Sequence, residues 1–108
     1  TIDLWSTTAA TNASADPGIN FAENQAASTV NDSARKLMAR VAEWLKDFGG
    51  TATTGGTGNA QTLTANRAFA AYADGLAVGF TAGNANTAAA TLNVNAIGAK
   101  SIYANGVC

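Results

Sequence analysis

Between residues 30 and 48, Val30, Ala34, Leu37, Val41, Trp44 and Phe48 recur at alternating spacings of four and three. That rhythm is an a/d heptad seam, and it predicts an amphipathic, coiled-coil-like helix over about 31–48. Met38 and Leu45, seven residues apart, widen the stripe on one flank, as in a helix that meets more than one neighbour. Asn31, Asp32 and Ser33 are suitable N-caps, Asp32 and Lys36 form an i,i+4 pair of favourable sense, and Gly49-Gly50 supplies a C-terminal stop. So short a helix is not stable alone, so its seam must be buried. It can lie on a sheet of its own domain or bundle about a symmetry axis, and the poor core elsewhere favours the bundle. Val30, Ala34, Leu37, Met38, Val41, Trp44, Leu45 and Phe48 are then the expected oligomer interface.

From residue 60 the period changes to two, the mark of strands. Thr62-Leu63-Thr64 is a short example, and Leu76, Val78 and Phe80 alternate with Ala77, Gly79 and Thr81 after an Ala73-Asp74-Gly75 turn. Thr91-Leu92-Asn93-Val94-Asn95-Ala96 sets one apolar face against one of Thr and Asn; Gly98 turns the chain, and Ser101-Ile102-Tyr103-Ala104 resumes a strand. Residues 60–108 are therefore expected to form a small antiparallel β module. Residues 49–59, almost all Gly and Thr, read as a linker.

Residues 1–29 show neither rhythm. Asp16-Pro17-Gly18 is a turn signature, and Ile2, Leu4, Trp5, Ile19 and Phe21 are isolated in polar surroundings. They read as an extended arm, its large side chains either anchoring into pockets on another chain or, for Trp5 and Phe21, folding back onto the chain's own helix. The fold class expected is α+β: arm, helix, linker and β module.

Composition sharpens this picture. Ala, Thr, Asn and Gly make up 62 of the 108 residues, and only 24 are Leu, Ile, Val, Phe, Met, Trp or Tyr, which predicts oligomerisation or docking onto a larger assembly. Disorder is not expected, because a net charge of −1 with 12% charged residues gives no self-repulsion. The same near-neutrality argues against nucleic acid as a partner. Arg35, Lys36, Arg40 and Lys46 cluster, but Asp32, Glu43 and Asp47 are interleaved with them. No segment reads as a membrane span or a signal peptide.

Candidate chemistry is sparse. The chain has no His, and its one Cys is Cys108, the last residue, so no internal disulfide, Cys/His zinc site or His-dependent nucleophile is expected. The Gly-rich run at 49–58 lacks the Gly-x-x-x-x-Gly-Lys-Ser/Thr pattern of a phosphate loop. Glu43 and Asp47, four apart, read as solvated helix charges, and Asp74-Gly75 reads as a turn with no alternating calcium ligands around it. No catalytic residue, cofactor or metal is assigned.

The stretches Ile2-Asp3-Leu4-Trp5-Ser6-Thr7-Thr8-Ala9-Ala10, Gly18-Ile19-Asn20-Phe21-Ala22-Glu23-Asn24-Gln25 and Ser28-Thr29-Val30-Asn31-Asp32-Ser33-Ala34-Arg35 through Met38-Ala39 resemble the N-terminal region of tail fibre proteins of tailed bacteriophages and prophages. Ala60-Gln61-Thr62-Leu63-Thr64, Phe69, Tyr72-Ala73-Asp74-Gly75, Ala90-Thr91-Leu92-Asn93-Val94-Asn95 and Gly98-Ala99-Lys100 are similar to the β module that often follows it. The resemblance implies a structural virion protein, homotrimeric and located in the phage tail. Its N-terminal arm, through Ile2, Leu4, Trp5, Ile19 and Phe21, docks on another tail or baseplate protein and so supports host attachment. It also implies a fibre that continues beyond Cys108, or else a short adaptor. Alternatives are a head fibre or capsid decoration protein, and a carbohydrate-binding module stacking sugars on Trp5, Tyr72 or Tyr103.

Overall fold

Helix α1 spans Ala27–Phe48 in the computed structural model, which describes residues 1–104. It begins earlier than the capping pattern predicts, so Asn31, Asp32 and Ser33 lie inside the helix and cap nothing. Ser33 instead turns its hydroxyl to the backbone of Asn20, accepting from that N–H at 3.0 Å. Asp32 faces solvent and pairs with Arg35 at 3.5 Å rather than with Lys36. The C-terminal stop is as expected: Gly50 takes φ +69°, and the Thr51 N–H returns to the Lys46 carbonyl at 3.2 Å, the six-to-one bond of a Schellman cap.

The chain divides into two compact units, Thr1–Leu45 and Lys46–Cys108. In the first, residues 1–26 are not an extended arm. Two short 3-10 turns, Ile2–Leu4 and Ala9–Ala13, are followed by a bend in which Ile19 N–H donates to the Asp16 carbonyl and Phe21 N–H to the Ala13 carbonyl, both at 2.9 Å. Ile19 is buried, and Trp5 is half-buried. The physical reason is local satisfaction. Short polar side chains such as Asn12, which bonds both the N–H and the carbonyl of Ser6, give this segment turns that a featureless coil would lack.

The second unit is built on a four-stranded open sheet, β1 (Gly55–Gly56), β2 (Ala60–Leu63), β3 (Thr91–Val94) and β4 (Ala99–Ser101), in the order β1-β2-β3-β4. The sheet is mixed rather than antiparallel, because β2 and β3 run parallel, with Leu63 opposite Val94. A parallel pair needs a long crossover, and residues 64–90 supply it. The Gly/Thr segment expected as a linker is part of this unit: Thr54 is buried, and β1 pairs with β2. Residues 105–108, the end of the expected β module with Cys108, lie outside the described residues.

The core of this unit is Leu63, Phe69 and Val94, against which Tyr72, Leu76, Val78, Phe80, Leu92 and Ile97 pack. Leu76, Val78 and Phe80 thus face inward at the expected period of two, yet they form no strand. Their backbone is bonded elsewhere. The Ala77 carbonyl accepts from Arg67 Nη2 at 2.6 Å, Gly79 N–H donates to the Asp47 carbonyl at 2.6 Å, and Thr81 N–H donates to the Ala52 carbonyl at 2.8 Å. Gly79 is required there: a Cβ would stand 2.9 Å from the Phe48 carbonyl oxygen and 3.0 Å from that of Asp47.

The turn between β3 and β4 holds Asn95 at φ +51° and Ala96 at φ +56°, closed by an Ile97 N–H to Val94 carbonyl bond of 3.0 Å. Two positive φ values suit Asn-Gly, and the alanine is strained. Ala96→Gly is expected to stabilise the chain by about 0.5–1 kcal/mol, the relief of strain exceeding the entropy that glycine adds to the unfolded state, read as a higher urea midpoint at unchanged slope.

Candidate functional site

Helix α1 meets the rest of its chain chiefly through polar residues, with Leu37 as an apolar contact in the first unit. Ser33, Arg40 and Asp47 follow one another at intervals of seven, and each is engaged: Ser33 with Asn20, Arg40 with Asp16, Asp47 with residues 66 and 67.

In the first unit the Arg40 guanidinium donates from Nε to Asp16 Oδ2 at 2.7 Å and from Nη1 to Glu43 at 3.2 Å. Asp16 also accepts from the Gly18 N–H at 2.9 Å and from the Thr1 ammonium at 3.1 Å. Arg40 holds the Asp16 carboxyl well below the usual carboxylate range, with the Gly18 N–H and the ammonium adding to it, against a burial that works the other way.

In the second unit Asp47 is 1% exposed. Its Oδ1 accepts from the Asn66 N–H at 2.7 Å and from Asn66 Nδ2 at 2.9 Å; its Oδ2 accepts from the Arg67 N–H at 3.0 Å and from Arg67 Nε at 2.9 Å. The Arg67 guanidinium also lies 5.4 Å from the Phe69 ring centre. Burial pushes the Asp47 carboxyl up, and the four hydrogen bonds together outweigh it and hold the group below its ordinary value. The expectation of solvated charges at Glu43 and Asp47 is therefore corrected: Glu43 is half-buried on Arg40 and Asp47 is at the centre of a network. Nothing in the periodicity of the helix separates a buried acidic residue from an exposed one, and the partners are 19 and 20 residues away.

The apolar stripe runs beside this polar line and is exposed. Val30, Ala34, Met38, Val41, Trp44, Leu45 and Phe48 are all exposed, Met38 by 72%, Leu45 by 62% and Val41 by 43%. Leu37 alone of the expected interface turns inward. It lines a cleft of about 140 Å³ with Trp5, Asn12, Asp16, Ile19 and Phe21.

Of the five expected docking residues, Ile19 is 6% exposed and so is not an anchor for another chain, while Ile2 and Trp5 are half-buried. Leu4 and Phe21 remain open to solvent. The aromatic platforms considered for sugar binding fare differently. The Tyr72 hydroxyl donates to the Gly98 carbonyl at 2.6 Å and accepts from the Val94 N–H at 3.0 Å, and Lys100 sits over its ring, so Tyr72 is committed to the fold. Tyr103 is exposed.

Among the described residues no group of three or more His, Cys, Asp or Glu could hold a metal ion, and no helix is long and apolar enough to cross a membrane. Asp74-Gly75 is a turn, with Gly75 at φ +82° and the Leu76 N–H bonded to the Ala73 carbonyl at 3.2 Å. No protein-family profile, no curated protein and no solved structure matches the chain.

Two of these features are testable through stability. Asp47→Ala, which leaves the buried Arg67 guanidinium without its carboxylate, is expected to cost about 3–5 kcal/mol in urea unfolding. Both Asp16 and Asp47 have folded-state pKa values below their unfolded ones, so each contributes stability that is present above about pH 4 and is lost as pH falls toward the folded value. A urea midpoint that drops steadily from pH 5 to pH 2, and drops less in Asp47→Asn, is the expected result.

Proposed function

We propose that this chain is a non-enzymatic structural protein of a phage particle, the base of a tail fibre, in which identical helices associate through the exposed face of α1 and the N-terminal segment attaches to a tail or baseplate protein. The observation that carries the reading is the uncovered apolar side of α1, centred on Met38, Val41 and Leu45, in a chain whose own buried apolar residues are few. The resemblance of residues 2–39 and 60–100 to tail fibre proteins supports the same reading and suggests three copies. Leu4 and Phe21 are the side chains of the N-terminal segment that remain available to a partner.

Leu37 belongs to the chain's own packing, so the self-association surface consists of Ala34, Met38, Val41 and Leu45, with Val30, Trp44 and Phe48 beside them. The sheet then begins the shaft, with the loops beside it tied by the Asn59 side chain donating to the Thr87 hydroxyl at 3.2 Å.

The test is the mass of the chain in solution by light scattering, beside a Val41→Asp/Leu45→Asp variant. Three times the 10.8 kDa of one chain, about 32 kDa, falling to a single folded chain in the variant, is expected; a wild-type monomer overturns the reading. Immunogold labelling of phage particles that carry the chain should mark the tail, and label on the capsid would move the assignment to a head fibre.

A further inference from the structure

Residues 1–26 lie against α1 with little apolar surface to hold them there. Of these residues only Asp16 and Ile19 are buried, a carboxylate and a single isoleucine. Where Trp5, Ile19 and Phe21 come round Leu37 they leave a cleft of about 140 Å³, large against the voids of a close-packed interior. The fastenings at Ser33 and Arg40 are polar. The Asn20 N–H donates to Ser33 Oγ at 3.0 Å, and Arg40 donates to Asp16 from Nε at 2.7 Å and from Nη2 at 3.4 Å. Few buried apolar contacts mark a segment that opens without the rest of the fold.

We infer that residues 1–26 are a strap that lifts off α1 while the helix stays formed, and that the strap controls whether Leu37 is covered. Closed, it withdraws Leu37 from the apolar side chains that the helix shows to solvent. Lifted, it returns Leu37 to the line of Val30, Ala34, Val41, Trp44 and Phe48, which then runs along the helix at spacings of four and three without a gap. The side chains that cover Leu37 belong to the strap, so a protein that takes up Trp5 or Ile19 must uncover Leu37. This last step rests on the tail attachment proposed above, under which attachment and uncovering are one event.

The lifted state is accessible because each polar side chain on the helix has a second partner within the helix. Arg40 Nη1 already donates to Glu43, one turn on, at 3.2 Å, and keeps that carboxylate when Asp16 leaves. Ser33, released from Asn20, can turn its hydroxyl to the carbonyl four residues back, as serines inside helices do. Asp16 passes from 1% exposure into water and retains the Gly18 N–H, two residues away, as a local donor. Neither helix side chain is orphaned by the change, and the backbone bonds of α1, which run within the helix, are not broken.

Thiol labelling of the full chain tests the strap. Ile19→Cys in a Cys108→Ser background puts a thiol at the buried apolar position of the segment, where a reagent reaches it when the strap lifts. Asp16→Asn, which takes the carboxylate from the Arg40 guanidinium, is expected to raise the labelling rate about tenfold or more. In chains that keep Ile19, exchange of the Asn20 amide, whose bond crosses to Ser33, should rise by a similar factor. The amides of β2 and β3 and the helical circular dichroism should stay as they are. If Asp16→Asn leaves both rates unaltered, or raises them only together with exchange in β2 and β3 or with loss of helix, the segment does not open by itself and the strap is overturned. A monomeric wild type, or gold label away from the tail, overturns the function proposed above without touching these two rates.

Discussion

A helix that reaches its own chain chiefly through a serine, an arginine and an aspartate has room there for little apolar burial beyond Leu37. Ser33, Arg40 and Asp47 occupy the buried side of α1, and their partners are hydrogen-bonding groups: the Asn20 backbone, the Asp16 carboxylate, and the Asn66 and Arg67 amides with the Arg67 guanidinium. Taking charges out of water is costly, and each carboxylate is compensated by several donors at once rather than by a single ion pair. Once these polar contacts fill the inner side, helical geometry leaves Ala34, Met38, Val41 and Leu45 on the outer one.

Each unit is organised around one such carboxylate. Asp16 gathers the Gly18 amide and the Arg40 side chain, so that a segment without helical or alternating rhythm acquires a fixed course. Asp47 gathers the start of the long crossover between β2 and β3, and Arg67, oriented by Asp47, reaches on to the Ala77 carbonyl. That second reach explains why residues 76–80 bury alternate side chains without joining the sheet: a guanidinium and the helix end bond the backbone groups that a neighbouring strand would otherwise take. Buried Gln61 plays a smaller version of the part, accepting from Thr54 Oγ1 at 2.6 Å and donating to the Gly58 carbonyl at 3.1 Å.

What could be read from the residues alone follows from how local each signal is. The helix, its glycine stop, the Ala73-Asp74-Gly75 turn and the strands at Leu63 and Thr91–Val94 rest on spacing within a few residues, and all are present. The parallel pairing of β2 and β3 was not legible, since alternation gives the face of a strand but not the direction of its neighbour. The folding of residues 1–26 was legible only as the alternative in which Trp5 and Phe21 return to the helix, because its course depends on Asn12, Asp16 and Asn20 meeting particular backbone groups. Of the apolar stripe, its existence was legible and its centre was not: Leu37 and Met38 are adjacent and equally apolar, and only the cleft formed by Trp5, Ile19 and Phe21 decides which of them turns inward.

This division of labour bears on assembly. Charge-assisted hydrogen bonds hold each unit at neutral pH without drawing on Met38, Val41 and Leu45 of α1. The order of each unit thus falls to a carboxylate and a guanidinium, Asp16 with Arg40 and Asp47 with Arg67, while Met38, Val41 and Leu45 stay exposed to serve the association proposed above.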